Sequence, residues 1–514
     1  MKILMLGWEF PPFIAGGLGT ACAGLTKSMV NQGHEITFVF PQPIPPGHES
    51  HVRLIGPRVL ENRINELRAG LSDQQSGSAV PEQHKSTRIV RTTRTLTSTV
   101  EQSSASESSI ERYEQLEMPH TTPYPSSYPG VDAGDVLRRV VEHIRQGSHQ
   151  SQTITSTETA ESVVQELTSN HTTTIMRGLQ SSSATELVDA MQGALDSMGE
   201  LGTGSKGYSG DLFTDADRYA RLACALCMHE QFDVIHAHDW LTYPAGMAVK
   251  ALTGKPLVCH IHATEFDRSG EHINQPVYDL ERTGMHAADR VIAVSRLTKA
   301  IVHSKYGVPD EKIDVVYNGV EQDDIQPGMG TAIEKDEKIV LFLGRITMQK
   351  GPEFFIRAAK RVLEKNDKVK FVVAGSGDMA VSMIEDAAAH GIGHKVLFTG
   401  FLRGRDVDRV FSMADCFVMP SVSEPFGIAP LEAMRNDTPV IVSNQSGVAE
   451  VLTHALKVDF WDVDEMANKI VAVLKYPPLS KTLREHGRFE LRGLTWDGAS
   501  EKTVKSYARA IADQ

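Results

Sequence analysis

The first forty residues restrict the fold more than any other part of the chain. Lys2-Ile3-Leu4-Met5-Leu6-Gly7 is a short apolar run, and a Pro-containing loop follows it. Gly16-Gly17-Leu18-Gly19 then opens a segment in which Leu25, Met29 and Val30 keep helical spacing up to Gly33. Glu35 to Phe40 is a second apolar run. Strand, glycine loop, helix and strand in that order form a β-loop-α-β unit, which commits the chain to a parallel sheet covered by helices. Glycine at the loop permits φ > 0 and lets main-chain N–H groups approach a phosphate or a sugar.

The same rhythm returns further on. A helix over about 214–230 leads to the strand Phe232 to Ala237, and strands fit 256–261, 290–294 and 313–317. A second series starts near 338, with strands at Ile339–Leu343, Lys370–Ala374, Val396–Phe398, Asp415–Pro420 and Val440–Val442. The charged, Pro- and Gly-containing stretch Asp323–Lys335 is the natural linker. The expected class is α/β, with two doubly wound Rossmann-like domains at 1–325 and 326–495 and a last helix within 496–514. An insertion at 57–207 interrupts the first domain. Residues 85–185 are roughly a third Ser and Thr, and 57–207 contains only three aromatics, Tyr113, Tyr124 and Tyr128. Such a segment buries too little apolar surface to offset an ordering entropy of about 1–2 kcal/mol per residue. Helical periodicity within it is confined to 134–146 and 185–198, so we expect partial disorder with amphipathic helices able to dock.

Charge and composition exclude several classes. A net charge of −13 gives no general affinity for nucleic acid or anionic membrane. No apolar run reaches the roughly 20 residues of a membrane-spanning helix. The apolar start ends at Glu9, too soon for a secretory signal. Five scattered Cys make the reducing cytoplasm the expected location. Cys224 and Cys227 lie in an Ala/Leu-rich helical run, where a buried face explains them.

Chemistry concentrates at predicted strand ends. In Ser423-Glu424-Pro425-Phe426-Gly427-Ile428-Ala429-Pro430-Leu431-Glu432, two carboxylates stand eight positions apart where a strand becomes a helix. In an open parallel sheet that edge binds ligands. Gly427 and the helix start suit an anion, whereas a carboxylate there grips hydroxyls. On helical geometry Glu432 lies about 12 Å further along and over the same face. A ligand with a central anion and a hydroxylated group at each end has that shape, as a sugar nucleotide does. Gly344-Arg345 and Lys350-Gly351 place two cations on one loop, which can stabilise a departing diphosphate. His236-Ala237-His238-Asp239-Trp240 and His260-Ile261-His262-Ala263-Thr264-Glu265 end two other strands. Alternating His share a strand face, so a metal site and a metal-dependent phosphohydrolase have to be weighed beside a core role for His236.

The Glu-Pro-Phe-Gly-x4-Glu-Ala-Met segment resembles the E-x7-E signature of retaining glycosyltransferases, family 4 in particular. Gly-Arg-x4-Lys-Gly and His-Ala-His-Asp-Trp strengthen the resemblance toward glycogen-synthase-type members. It covers about 1–56 and 208–514. It implies the GT-B fold, in which two Rossmann-like domains face each other across a cleft. It also implies a final helix that crosses back to the first domain. The implied activity is retaining, metal-independent transfer of a hexose, glucose from ADP-glucose or UDP-glucose, to the non-reducing end of an α-glucan. The nucleotide sugar is then a substrate, and no cofactor is expected. A small or lipid-linked acceptor is the alternative within the class, and a non-catalytic glucan-binding protein is the alternative outside it. Carried over by motif, Glu424, Arg345, Lys350 and His262 are catalytic. Gly16, Gly17, Gly19, Gly344, Gly375, Phe401, Phe426, Gly427, Ile428 and Glu432 bind the donor, and Asp239 and Trp240 face the acceptor. The glycine loop departs from the family's Lys-Thr-Gly-Gly-Leu, since Ile14 and Ala15 replace Lys and Thr. Donor preference therefore does not transfer directly.

Overall fold

The computed structural model describes residues 1–13, 16–45, 47–76, 170–198, 212–321 and 337–513. The first sheet has seven parallel strands in the order β3-β2-β1-β4-β5-β6-β7. These are β1 (Lys2–Leu6), β2 (Glu35–Val39), β3 (Arg53–Ile55), β4 (Val234–His238), β5 (Leu257–Ile261), β6 (Arg290–Ala293) and β7 (Ile313–Val315). The second has six, in the order β10-β9-β8-β11-β12-β13. They are β8 (Lys338–Leu343), β9 (Val369–Ala374), β10 (Val396–Gly400), β11 (Cys416–Met419), β12 (Val440–Ser443) and β13 (Leu456–Val458). Central strands read as unbroken apolar runs because helices cover both faces. All five residues of β5 are buried, as are all four of β11. Order reverses beside β1 and again beside β8, so each sheet has a crevice at the carboxyl edge there. These two Rossmann-like domains make the GT-B architecture.

Among the described parts of the insertion, helices span Pro57–Ser76, Asn170–Leu179 and Ala184–Met198. Ile64, Ile175, Leu179, Val188 and Met191 join the core of the first domain beside Leu222 of the helix Leu212–Cys227. The two ends of the insertion are thus packed structure. The expected helix at 185–198 is present, and the one at 134–146 lies outside the described residues. Cys224 and Cys227 are buried, and the Cys227 thiol donates to the Cys224 carbonyl.

The helix Trp496–Ala512 lies on the first domain although the second precedes it in the chain. A Cβ on Gly24 would stand 2.2 Å from the Trp496 ring, so only glycine admits the close approach. Ser28 Oγ donates to Asp497, and Arg509 and Ser506 donate to Asp314, at 2.5–2.8 Å. No described helix is long and apolar enough to cross a membrane.

Candidate active site

Glu424 follows β11 and is held in extended backbone. Its N–H donates to the Gln445 carbonyl at 3.0 Å, and its own carbonyl accepts from Gly447 N–H at 2.9 Å. This one-residue bridge to Ser446 overrides the expected helical spacing. The helix begins only at Ala429 and is seven residues long, so Glu424 and Glu432 do not share a helix face, and the 12 Å offset expected on helical geometry does not apply. Gly427 has φ +100, and a Cβ there would press on the Glu424 side chain and Met419 at 3.1 Å.

Glu424 is buried, and its carboxylate accepts from Ser421 Oγ at 3.2 Å and forms an ion pair with Lys350 Nζ. Lys350 ends the 3-10 turn Met348–Lys350. Gly351 follows with φ +62, and a Cβ on it would overlap the Pro420 carbonyl oxygen at 2.2 Å. Glycine at that position is what lets the cation-bearing loop lie against the end of β11. Arg345 donates to Gln349 Oε1 at 3.2 Å, and the Gln349 carbonyl accepts from Val422 N–H at 2.9 Å. The structure therefore joins Arg345, Lys350 and Glu424 in one cluster.

The first domain supplies the facing half. Asp239 sits at φ 58 and ψ 170, sparsely populated for a residue with a Cβ and costing about 1–3 kcal/mol. Its Oδ1 accepts from His262 N–H at 2.7 Å and Ala263 N–H at 3.4 Å. Asp239 thereby shapes the turn that carries His262. Thr264 and Asp267 then cap the helix Glu265–Ser269 reciprocally. Arg268 donates to the Ala263 carbonyl at 3.0 Å and pairs with Glu265 and Glu281. Ser423 Oγ, beside Glu424, donates to Asp267 Oδ1 at 2.6 Å. That contact brings the His262 loop and the Glu424 loop together across the cleft.

Glu9, which the sequence reading did not single out, also belongs here. It follows β1, is 1% exposed, and accepts from Gly19 N–H at 3.1 Å. A Cβ on Gly16 would stand 2.6 Å from its Oε2. Burial pushes its carboxyl up to about 7; the Gly19 N–H and the Arg345 charge oppose this, and the Asp239 charge adds to it. The glycine loop thus spends one N–H on an internal acid. Its one sequence signal is an acid between the apolar residues Trp8 and Phe10 at a strand end.

Other expected residues divide. Gly344, Gly375 and Gly400 meet at the ends of β8, β9 and β10. Gly375 N–H donates to the Gly400 carbonyl, and a Cβ on Gly375 would lie 1.8 Å from the Gly344 oxygen. They leave bare backbone beside Arg345. Gly17 has open space around it, and Phe401 is half-exposed under Arg403. Ile428 immediately precedes the helix that carries Glu432, whose carboxyl is raised by burial against the opposing charge of Arg435. Phe426 and Trp240 have their rings in the two cores, against Tyr317 and Phe213 respectively. Phe426 therefore has only its main chain to offer a donor. Trp240 is buried behind the turn at Asp239, so its ring does not line the cleft.

Buried His236, His238 and His260 form a stack that runs up to the partly buried ring of His262. His238 is paired in register with His260 on adjacent strands. His236 Nε2 meets His260 Nδ1 at 3.2 Å, and His238 Nδ1 meets His262 Nε2 at 2.9 Å. Burial pushes His236 down to about 3, drives His238 and His260 well below the usual range, and lowers His262. All four rings are neutral at pH 7. Among the described residues, His236, His238 and His260 are the one group with ligand atoms close enough to hold a metal.

A cleft between two Rossmann-like sheets, with cations and a carboxylate on one lip, fits a glycosyltransferase. The comparisons agree. Residues 330–489 match the model for glycosyl transferases group 1, 206–324 that for glycosyltransferase family 4, and 2–77 that for the starch synthase catalytic domain. An uncharacterised glycosyltransferase of Methanocaldococcus jannaschii is 33% identical over 300 residues, 55% of this chain and 76% of that protein. D-inositol 3-phosphate glycosyltransferase of Mycobacteroides abscessus is 29% identical over 310 residues, 56% of this chain and 69% of that protein. Sucrose-phosphate synthase of Thermosynechococcus elongatus shares the fold over the whole of both chains, with a TM-score of 0.59 at 17% identity. Anabaena HepE, solved with UDP and glucose, does so over 99% of each chain, with a TM-score of 0.55 at 14% identity. The chain belongs to the GT-B glycosyltransferases of group 1 and family 4.

Proposed function

We propose that the protein moves a hexose, glucose, from a nucleoside diphosphate sugar to the non-reducing end of an α-glucan, with retention at C1. The observation that carries this reading is the Lys350–Glu424 ion pair held against the His262 loop by Ser423 and Asp267. As the bond from C1 to the diphosphate breaks, Arg345 and Lys350 take up the charge on the leaving oxygen. That oxygen accepts the proton of the incoming acceptor hydroxyl, whose oxygen bonds C1 on the same face. Glu424 holds donor hydroxyls and the developing positive charge, His262 supports the sugar from the first domain, and Glu432 binds the ribose. Fixed cations neutralise the diphosphate, so transfer needs no metal ion. Five unpaired, buried thiols fit a cytoplasmic site of action.

The match of residues 2–77 to a starch synthase domain favours a glucan acceptor. A second reading, transfer to a small phosphorylated polyol or sugar, is favoured by the inositol 3-phosphate glycosyltransferase relative. Release of nucleoside diphosphate from UDP-glucose and ADP-glucose, with maltooligosaccharides or with inositol phosphate and hexose phosphates as acceptors, tests both. Elongation of the oligosaccharides alone supports the glucan reading. Turnover on the phosphorylated acceptors alone replaces it with the second.

A further inference from the structure

The buried histidines below the cleft carry a property that the transfer reaction does not use. We propose that His236, His238 and His260 form a binding site for a zinc-class transition-metal ion, with one ring nitrogen from each as ligand.

The donor set has the required chemistry. Imidazole suits zinc, copper and nickel, whereas magnesium and calcium demand oxygen ligands that this group lacks. The three rings project from one face of two adjacent parallel strands, and one nitrogen of each lies within 4.8 Å of the others. The His236 Nε2 to His260 Nδ1 separation is 3.2 Å. Ligands about 2.0–2.1 Å from a tetrahedral ion stand close to that far apart, and the third ring's nitrogen, within 4.8 Å of both, has to draw nearer to complete the set.

An independent observation points the same way. His238 Nε2 and His260 Nε2 are fully buried and have no hydrogen-bond partner. Buried ring nitrogens are ordinarily satisfied, so an orphan is a standing cost, and an ion held by His236 Nε2, His260 Nδ1 and His238 Nε2 removes it at His238. The outer anchoring typical of ligating histidines is also present. His236 Nδ1 is held by Tyr507 Oη at 2.6 Å, and His238 Nδ1 by His262 Nε2 at 2.9 Å. Tyr507 lies on the helix that crosses from the second domain, so an ion here would tie that helix and the His262 turn to the floor of the first sheet.

The test uses the full chain, stripped with a chelator, loaded with Zn²⁺ or Co²⁺ and passed through gel filtration before the metal is counted. We expect about one ion per chain, an intense tetrahedral Co²⁺ spectrum, and a Tm raised by roughly 5 °C. His260→Asn should lose the ion, and His260→Cys should retain it. The double variant C224A/C227A should retain it too, which separates this site from the cysteine pair. Two results overturn the proposal. One is a folded wild type that retains no ion, or that shows only the weak octahedral Co²⁺ spectrum of surface sites; the unpartnered nitrogens then hold water. The other is undiminished zinc in a His260→Asn variant whose circular dichroism matches wild type.

Discussion

Replacing Glu424 by Gln should tighten binding of the nucleoside diphosphate while slowing transfer, because Lys350 serves both partners. Without ligand its ammonium is engaged by the Glu424 carboxylate, with the two side chains 20% and 9% exposed. A glutamine in its place still accepts from the ammonium, so what is lost is the charge–charge attraction, about 1 kcal/mol for a partly exposed pair. The amide keeps the shape and the Ser421 contact but releases about 1 kcal/mol of competition for the ammonium. UDP or ADP should then bind about 3- to 10-fold more tightly. Turnover should fall about 100-fold or more, since the carboxylate charge facing the developing cation is gone. Lys350→Ala removes the cation itself and should weaken diphosphate binding and lower kcat together. Calorimetric titration of UDP and ADP into wild type, both single variants and the double variant, beside steady-state kcat, reads all of this. The competition argument fails if Glu424→Gln weakens diphosphate binding to the same extent as Lys350→Ala.

Other consequences follow from the same geometry. The Glu9 carboxyl is raised from 4.5 to about 7, so the folded state holds its proton more tightly than the unfolded chain does. Stability from this group is intact below about pH 4.5, falls as pH rises toward 7, and levels off above that, with a total loss of about 3 kcal/mol. Glu9→Gln should therefore match wild type at low pH and exceed it at pH 8, as measured by chemical denaturation; identical pH dependence in both would remove burial of Glu9 as the cause. Ser423→Ala leaves a buried Asp267 oxygen without its donor and loosens the Glu424 loop. It should cost about 1–3 kcal/mol of stability and lower kcat about 10-fold with little change in fold, read by Tm and turnover. Gly375→Ala sets a Cβ 1.8 Å from a backbone oxygen at φ +144. The backbone has to give way, so a loss of roughly 3 kcal/mol or more and absent donor turnover are expected in thermal melts and activity assays.

The sheets were legible because buried parallel strands print themselves as apolar runs, and the glycine loops mark where they end. Within single loops the chemistry was legible too, since Arg345 with Lys350 and Glu424 with Gly427 are each local patterns. What sequence spacing could not convey is how the chain spends those groups once it closes. The eight steps from Glu424 to Glu432 look helical on paper, yet a main-chain bridge to Ser446 claims Glu424 first. Trp240 reads as a site aromatic and sits in the core, because the positive φ of Asp239 turns the chain inward just before it. Glu9 escaped notice because nothing around it in sequence shows that it will be buried against Gly16 and Gly19 and feel Arg345 from the other domain. The strand Arg53–Ile55 was missed for a related reason: three residues at a sheet edge carry too little pattern to stand out. For Glu424 the deciding partner is remote in the chain, as Asp267 is from Ser423 and Tyr507 from His236. Each domain thus carries half of a site whose residues can be picked out alone, whereas their protonation and pairing belong to the closed cleft. Substitutions at the bridging residues Ser423 and Asp267 are consequently the ones that separate a folded pair of domains from a working site.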